Sequence, residues 1–408
     1  MILKKYFVNK KRIYLLGSQV VIALLGLLLG KLIAIYITPE QFGIYNLQLG
    51  IITLLISLFF SPVNQYFKTS VTSLFKKIGF KYFGFTFLVS FAIISILGFL
   101  YFYFMERDSF SLHLLIIIFL YIIFSSMFLT LSDYHNILNN YQIFTKANIA
   151  KALVPPVAIF TVFYFDLFDV KQVEILWCIL LLSSVVGFFV IYDRSLIKVV
   201  PYKISYKNFL NSLTKFALPL MFMGFLSWIT SYIDRYIINF YLDTNSVGLY
   251  NAGYSLGSKF FLLITPLFLV VLTPEMYNHS KIEVKKKKLL RYLRAYFLVG
   301  LCILVVLFFF YDFIGLTLLS KTYRDSFIII PWIALAYFFL VATQILETIF
   351  YAEKRSKTIL YGVVVSTISI ITLQFILIRY FGILGAAMGA ISSFLLRFVY
   401  IYIKFLKL

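Results

Sequence analysis

Long, nearly uncharged apolar runs constrain this chain more than any other feature of its sequence. Residues 13–37, 112–132 and 292–311 each match or exceed the ~20 residues that a helix, at about 1.5 Å per residue, needs to cross the hydrocarbon of a bilayer. In lipid such runs must be helical, because an isolated strand would leave its backbone N–H and C=O groups unpaired. Of the 408 residues 62% are hydrophobic and 13% charged, whereas soluble domains average about 45–50% apolar and about 25% charged. The expected class is therefore an all-α integral membrane protein.

Hydropathy divides the chain into twelve spans: 13–37, 43–60, 82–105, 112–132, 148–165, 173–192, 216–242, 248–273, 292–311, 327–350, 359–378 and 383–403. The first apolar stretch is longer than a signal-peptide core and no small-residue cleavage site follows it, so it reads as an uncleaved span. Segments on one side of the membrane hold 26 of the 37 lysines and arginines, and the opposite loops hold only Arg107, Lys171, Lys321, Arg324 and Arg379. Basic loops stay in the cytoplasm. Both termini are thus expected to be cytoplasmic, in a multi-pass membrane protein. The net charge of +21 follows from this asymmetry and from attraction to anionic membrane lipids, for which the run Lys285 to Lys288 suits an anchor. Nucleic acid is not an expected partner.

No extramembrane segment is long enough for a catalytic domain. His113, His135 and His279 are scattered without metal-ligand spacing, Cys178 and Cys302 fall within spans, and there is no Walker motif. The reading is a non-enzyme without cofactor or metal. The longest inner connection, 193–215, separates an N-terminal half, 1–205, from a C-terminal half, 206–408, each with six spans. The halves repeat: Thr38-Pro39-Glu40-Gln41-Phe42-Gly43-Ile44-Tyr45-Asn46 aligns with Asp243-Thr244-Asn245-Ser246-Val247-Gly248-Leu249-Tyr250-Asn251 at a constant offset of 205. Gly43 and Gly248 suit a tight turn, and Tyr45 and Tyr250 an interfacial aromatic belt. An even number of spans per half makes the repeats parallel.

Charges inside spans cost about 2.5 to 3.5 kcal/mol each on insertion scales and mark functional candidates. Lys151 and Arg294 read as lying near helix ends, from which they can snorkel. Lys31, Asp234, Arg235, Lys259, Glu347 and Arg397 remain. Span seven places Ser227, Thr230, Ser231 and Asp234 on one helical face. Span eight carries Asn251, Ser255, Ser258 and Lys259, and span two Asn46, Gly50, Thr53 and Ser57. Such stripes either line a polar cavity or hydrogen-bond between packed helices. Asp234 with Arg235 is open to two readings as well, a structural ion pair or part of a transport site.

The stretches Ile233-Asp234-Arg235-Tyr236-Ile237-Ile238, Val247-Gly248-Leu249-Tyr250-Asn251-Ala252-Gly253-Tyr254, Thr265-Pro266 and Thr273-Pro274 resemble spans seven and eight of the polysaccharide transporter family, which includes O-antigen and capsule repeat-unit flippases. Residues 38–45 resemble that family's first outer turn. The family often carries an arginine near the outer end of span one, where this chain has Ala34, with Lys31 one turn earlier. The resemblance implies two six-helix bundles in a V-shaped arrangement like that of the multidrug exporters of the same superfamily. It also implies alternating access for an undecaprenyl-diphosphate-linked oligosaccharide, delivered from the cytoplasmic to the periplasmic leaflet alongside other polysaccharide assembly proteins. Lys31, Arg235 and Lys259 would then serve the diphosphate, to which arginine donates bidentate hydrogen bonds. Asp234 and Glu347 would serve ion coupling (Na+ or H+) or gating. Three rival functions remain: a cation-coupled multidrug exporter, a membrane polysaccharide polymerase or ligase, and a peptidoglycan-precursor flippase, which usually carries two further spans.

Overall fold

A computed structural model describes residues 10–70, 75–105, 111–138, 140–165, 172–192, 206–278 and 281–408. Among them the regular structure is helical: α1 (Lys10–Tyr36), α2 (Pro39–Leu55), α3 (Ser61–Ser70), α4 (Phe75–Met105), α5 (Leu112–Ile137), α6 (Tyr141–Tyr164), α7 (Gln172–Ile191), α8 (Tyr206–Tyr241), α9 (Thr244–Asn278), α10 (Ile282–Leu318), α11 (Ile329–Ala352) and α12 (Ser356–Leu406). A π-helical turn, Ile56–Phe60, carries α2 into α3, so these two form one span. Among the described residues ten helical stretches are long and apolar enough to cross a membrane. The expected twelve spans map onto these ten, with α9 as a further helix and α12 holding two spans.

Several boundaries follow from capping chemistry. Thr38 accepts from the Gln41 backbone N–H at 3.4 Å, Pro39, which has no N–H to satisfy, takes the first helical position, and Glu40 lies in the first turn, so α2 opens with a capped N-terminus. In the second repeat Asp243 holds the position equivalent to Thr38 and accepts from the Ser246 N–H at 2.6 Å to open α9. The break in α12 is at Gly382, whose φ of +57° favours glycine. Beyond it the chain doubles back: Gly385 lies against the Leu377 carbonyl, Gly389 against Gln374, and Ser393 Oγ donates to the Ser366 carbonyl at 2.8 Å. Spans eleven and twelve are therefore an antiparallel pair.

The chain forms two compact units. Residues 30–46 and 229–408 belong to one, the C-unit, and residues 9–29 and 47–228 to the other, the N-unit. Helices α1, α2 and α8 each contribute to both. The expected repeat boundary at 205 lies at the end of 193–205, outside the described residues, as do Arg107, Lys171 and His279.

Within the C-unit α11 is the core helix, buried along most of its length among α9, α10 and α12. Small residues let the backbones approach. Gly253 faces the Ser326 carbonyl and Gly257 that of Ile330, where an added Cβ would come within 2.6 and 2.5 Å. The rings of Phe261, Tyr296 and Phe338 fill the next layer, and the Tyr296 hydroxyl donates to the Phe338 carbonyl at 2.9 Å.

Within the N-unit α7 packs on α5 and α6. Buried Trp177 on α7 donates from its indole N–H to Gln48 at 2.8 Å and meets Tyr121 edge-on. Phe67, Phe83, Phe87 and Phe209 tie α3, α4 and α8 together. The packing of Phe209 and Leu213 explains why α8 begins at Tyr206, ten residues before the apolar run.

Candidate functional site

The densest polar cluster of the C-unit grows from the repeated hairpin. Gly43 and Gly248 bring α2 and α9 into backbone contact. A Cβ on Gly43 would meet the Thr244 carbonyl and lie 3.1 Å from the Gly248 nitrogen, and a Cβ on Gly248 would meet the Pro39 carbonyl and lie 3.1 Å from the Gly43 nitrogen. Each contact is the other shifted by one repeat. One turn further along, Asn251 Nδ2 donates to Asn46 Oδ1 at 2.5 Å, across a separation of 205 residues, while Asn46 Nδ2 donates to the Phe42 carbonyl at 2.6 Å.

Asn251 links this pair to the charges of α8. Its Oδ1 accepts from Arg235 Nε at 3.0 Å and Nη2 at 2.8 Å. Arg235 Nη1 donates to Asp234 Oδ1 at 2.8 Å and to the Ser231 carbonyl at 2.5 Å. The other Asp234 oxygen accepts from the Tyr250 hydroxyl at 2.7 Å. The guanidinium lies 4.9 Å from the ring centre of Tyr232 and 4.8 Å from that of Tyr254, positions in which cation–π attraction adds to the ion pair. Tyr254 in turn shares a 2.9 Å hydrogen bond with Tyr337. Asp234 is only 2% exposed and Arg235 5%. A buried pair of this kind is sustained by the added hydrogen bonds that satisfy both partners. Tyr250, expected in an interfacial belt, is instead fully buried here, because Asp234 supplies its hydroxyl with an acceptor inside the helix packing.

Lys31 occupies a different place. Its Nζ donates to the carbonyls of Leu316, at 3.1 Å, and Leu319. These oxygens end α10 without intrahelical partners, and a cation there also opposes the helix dipole. The Ser320 hydroxyl donates to the carbonyl of buried Ala34, and the Tyr323 hydroxyl to that of Ile37 at 3.0 Å. Burial pushes the Tyr323 phenol above its ordinary pKa. Lys259 is half-buried, its Nζ 3.5 Å from the point where a Cβ on Gly30 would lie, so α9 presents it to α1 one residue from Lys31. Glu347 forms a separate ion pair, its Oε1 accepting from Arg397 Nε at 3.1 Å and Nη2 at 2.8 Å.

The residues of the polar stripes differ in their surroundings. Ser227 and Ser231 are exposed and Thr230 is half-buried. Thr53, Ser255 and Ser258 donate back to the Leu49, Ala252 and Ser255 carbonyls of their own helices. Lys151 departs from expectation: α6 begins at Tyr141, so Lys151 is in mid-helix and not near an end. The tyrosines around Arg235 and the position of Lys151 are the features that hydropathy alone did not disclose. Tyr232 precedes Arg235 by three residues and Tyr254 follows Tyr250 by four, helical spacings that place each ring beside its polar neighbour.

The family model for polysaccharide biosynthesis proteins matches residues 8–280, most of the chain. The chain belongs to this family. A search of curated proteins by sequence finds no match. Among solved structures, this polysaccharide biosynthesis family member is similar to the lipid II flippase MurJ in an inward closed conformation, with 18% identity, a TM-score of 0.69, and 98% of this chain and 87% of that chain covered. It is similar to an inward-facing multidrug resistance MATE family transporter of the MOP superfamily at 14% identity and a TM-score of 0.68, with 95% of each chain covered. A Vibrio cholerae MATE transporter, VcmN, follows at 14% identity and a TM-score of 0.51, covering 97% of this chain and 93% of that one. The fold is that of these transporters.

Proposed function

We propose that the protein is a flippase for a lipid-linked sugar, and that it moves an undecaprenyl-diphosphate-linked oligosaccharide repeat unit from the cytoplasmic to the periplasmic leaflet by alternating access. The observation that carries this reading is membership of the polysaccharide biosynthesis family on a fold shared with a lipid-linked flippase. The partition of basic residues supports cytoplasmic termini in a bacterial inner membrane. Lys31, Arg235 and Lys259 all belong to the C-unit, which supports a common cationic region for the diphosphate. Arg235 and Lys31 already hold protein acceptors, so the headgroup would have to compete for their hydrogen bonds. Asp234 and Glu347 each face an arginine, which favours positioning of that arginine over carriage of a coupling ion.

The test is complementation of a strain deleted for the gene, scored for surface polysaccharide and for lipid-linked intermediate held on the cytoplasmic leaflet. Lys259→Gln should lower delivery at normal protein levels, and Arg235→Lys should keep part of it, because it retains the charge beside Asp234 but loses the bidentate fork. Full delivery by a Lys31, Arg235 and Lys259 triple neutral variant would remove the cationic site. Drug extrusion by a deletion strain carrying the gene, without any polysaccharide phenotype, would favour the multidrug exporter instead.

A further inference from the structure

The N-unit contains a cavity of about 570 Å³, within the range of small-molecule sites. Its polar lining is Lys151, Ser125, Ser126, Ser183, Asn148 and Tyr121, and the remainder is apolar, with Ile22, Leu29, Ile56 and Leu129 among it. Four observations show that this wall is built around Lys151. Pro155 cannot supply the N–H that would bond the Lys151 carbonyl within α6, and Ser183 Oγ on α7 donates to that carbonyl at 2.7 Å. Pro156 likewise frees the carbonyl of Ala152, which also lines the cavity. Gly187 leaves room for both Phe128 and Lys151, since a Cβ there would come within 2.9 Å of the ring and 3.1 Å of the Lys151 Cβ. The ammonium lies 4.3 Å from the Phe128 ring centre, and among the described residues no carboxylate pairs with it.

A mid-helix lysine is costly in a membrane protein and is retained where it meets a charge or a pathway. Ser126 adds a second unspent group: it is 2% exposed and its hydroxyl has no hydrogen-bond partner. We propose that this cavity binds the phosphate-bearing head of an amphiphile. Lys151 supplies the charge, Ser126 donates to a phosphate or sugar oxygen, and Ile22, Leu29, Ile56 and Leu129 cover the first part of the chain. Resting on the flippase reading, the occupant is the polyprenyl diphosphate end of the transported lipid, for which this cavity is a second site besides the C-unit cations.

The test is equilibrium binding to the full-length protein in detergent with three probes, undecaprenyl diphosphate, phosphatidylglycerol and inorganic diphosphate. Undecaprenyl diphosphate should bind most tightly. Lys151→Gln should weaken it by about tenfold or more, and Lys151→Arg by no more than about threefold. Ser126→Ala provides a variant that does not threaten the fold, because it removes a buried hydroxyl that has no partner. It should melt at or above the wild-type temperature yet bind several-fold more weakly. Wild-type affinity in both Lys151→Gln and Ser126→Ala would overturn the proposal, as would equal affinity for inorganic diphosphate, which would leave the apolar wall without a role. Tightest binding of phosphatidylglycerol would uphold a phosphate-head site but reassign it to membrane lipid. Failure of the flippase reading would show separately, as intact surface polysaccharide in the deletion strain whatever the binding result.

Discussion

Replacing Gly248 by Ala tests the hairpin crossing. The new methyl would sit 2.6 Å from the Pro39 carbonyl carbon and closer still to its oxygen, both backbone atoms that no side-chain rotation can remove. Ordinary contact begins at 3.4 Å, so α2 and α9 must part by at least ~0.8 Å, and the Asn46 to Asn251 hydrogen bond lengthens with them. Overpacking of this kind typically costs about 1–3 kcal/mol, and a backbone-on-backbone clash places it near ~3 kcal/mol. Gly43→Ala meets the equivalent carbonyl of Thr244 and should cost the same. Once one methyl has separated the helices the second finds space already made, so the double variant should cost about 4 kcal/mol, well below the sum. Gly17→Ala is the control, with nothing within 4 Å of the new methyl and about 1 kcal/mol of helix propensity gained. Thermal unfolding of the purified protein in detergent, compared across the four variants and wild type, reads these differences. Additive losses, or a Gly248→Ala protein that melts with wild type, would refute the reasoning.

Asp234→Asn leaves Arg235 buried without its countercharge and should destabilise by about 3 kcal/mol, and joint replacement with Arg235→Gln should recover part of the loss in the same melting assay. Lys31→Met uncovers the Leu316 and Leu319 carbonyls at the end of α10 and should lower the melting temperature and speed proteolysis of the 319–328 loop; resistance equal to wild type would deny it a capping role. For orientation, in a Cys178→Ala and Cys302→Ala background, a cysteine at position 322 should react with an impermeant thiol reagent in intact cells and one at 286 should not. Reaction at 286 would reverse the proposed topology.

The apolar runs disclosed the helices because length and hydropathy are local quantities. The 205-residue offset disclosed the repeat, but Gly43 and Gly248, expected in tight turns, lie inside α2 and α9, where the missing side chains let the two helix backbones touch. Helix ends were less legible. Tyr141 to Lys146 are polar enough to disguise the first turns of α6, and that displaced Lys151 toward an apparent helix end. Tyr250 was misplaced for a related reason: a tyrosine near a hairpin suits a membrane interface until a carboxylate on another helix accepts its hydroxyl, and that partner, Asp234, is specified only by tertiary packing. The cavity around Lys151 depends on Pro155, Ser183 and Gly187 from two helices, a combination that no window of sequence contains.

In the Gly43 and Gly248 crossing, each residue touches the repeat-equivalent of its partner's neighbour, which is the rule for an isologous interface between two copies of one subunit. A six-span ancestor pairing with itself about a two-fold axis would make this contact in the same way. Within one chain neither side has to serve both roles. Residues 234 and 235 hold the Asp234 and Arg235 pair, while their equivalents one repeat earlier are Leu29 and Gly30. In a true homodimer every buried charge at the interface would come in duplicate, opposite its own copy. A fused pseudo-dimer can keep a single arginine, cage it with tyrosines from one side only, and leave the glycine opposite to make room for Lys259.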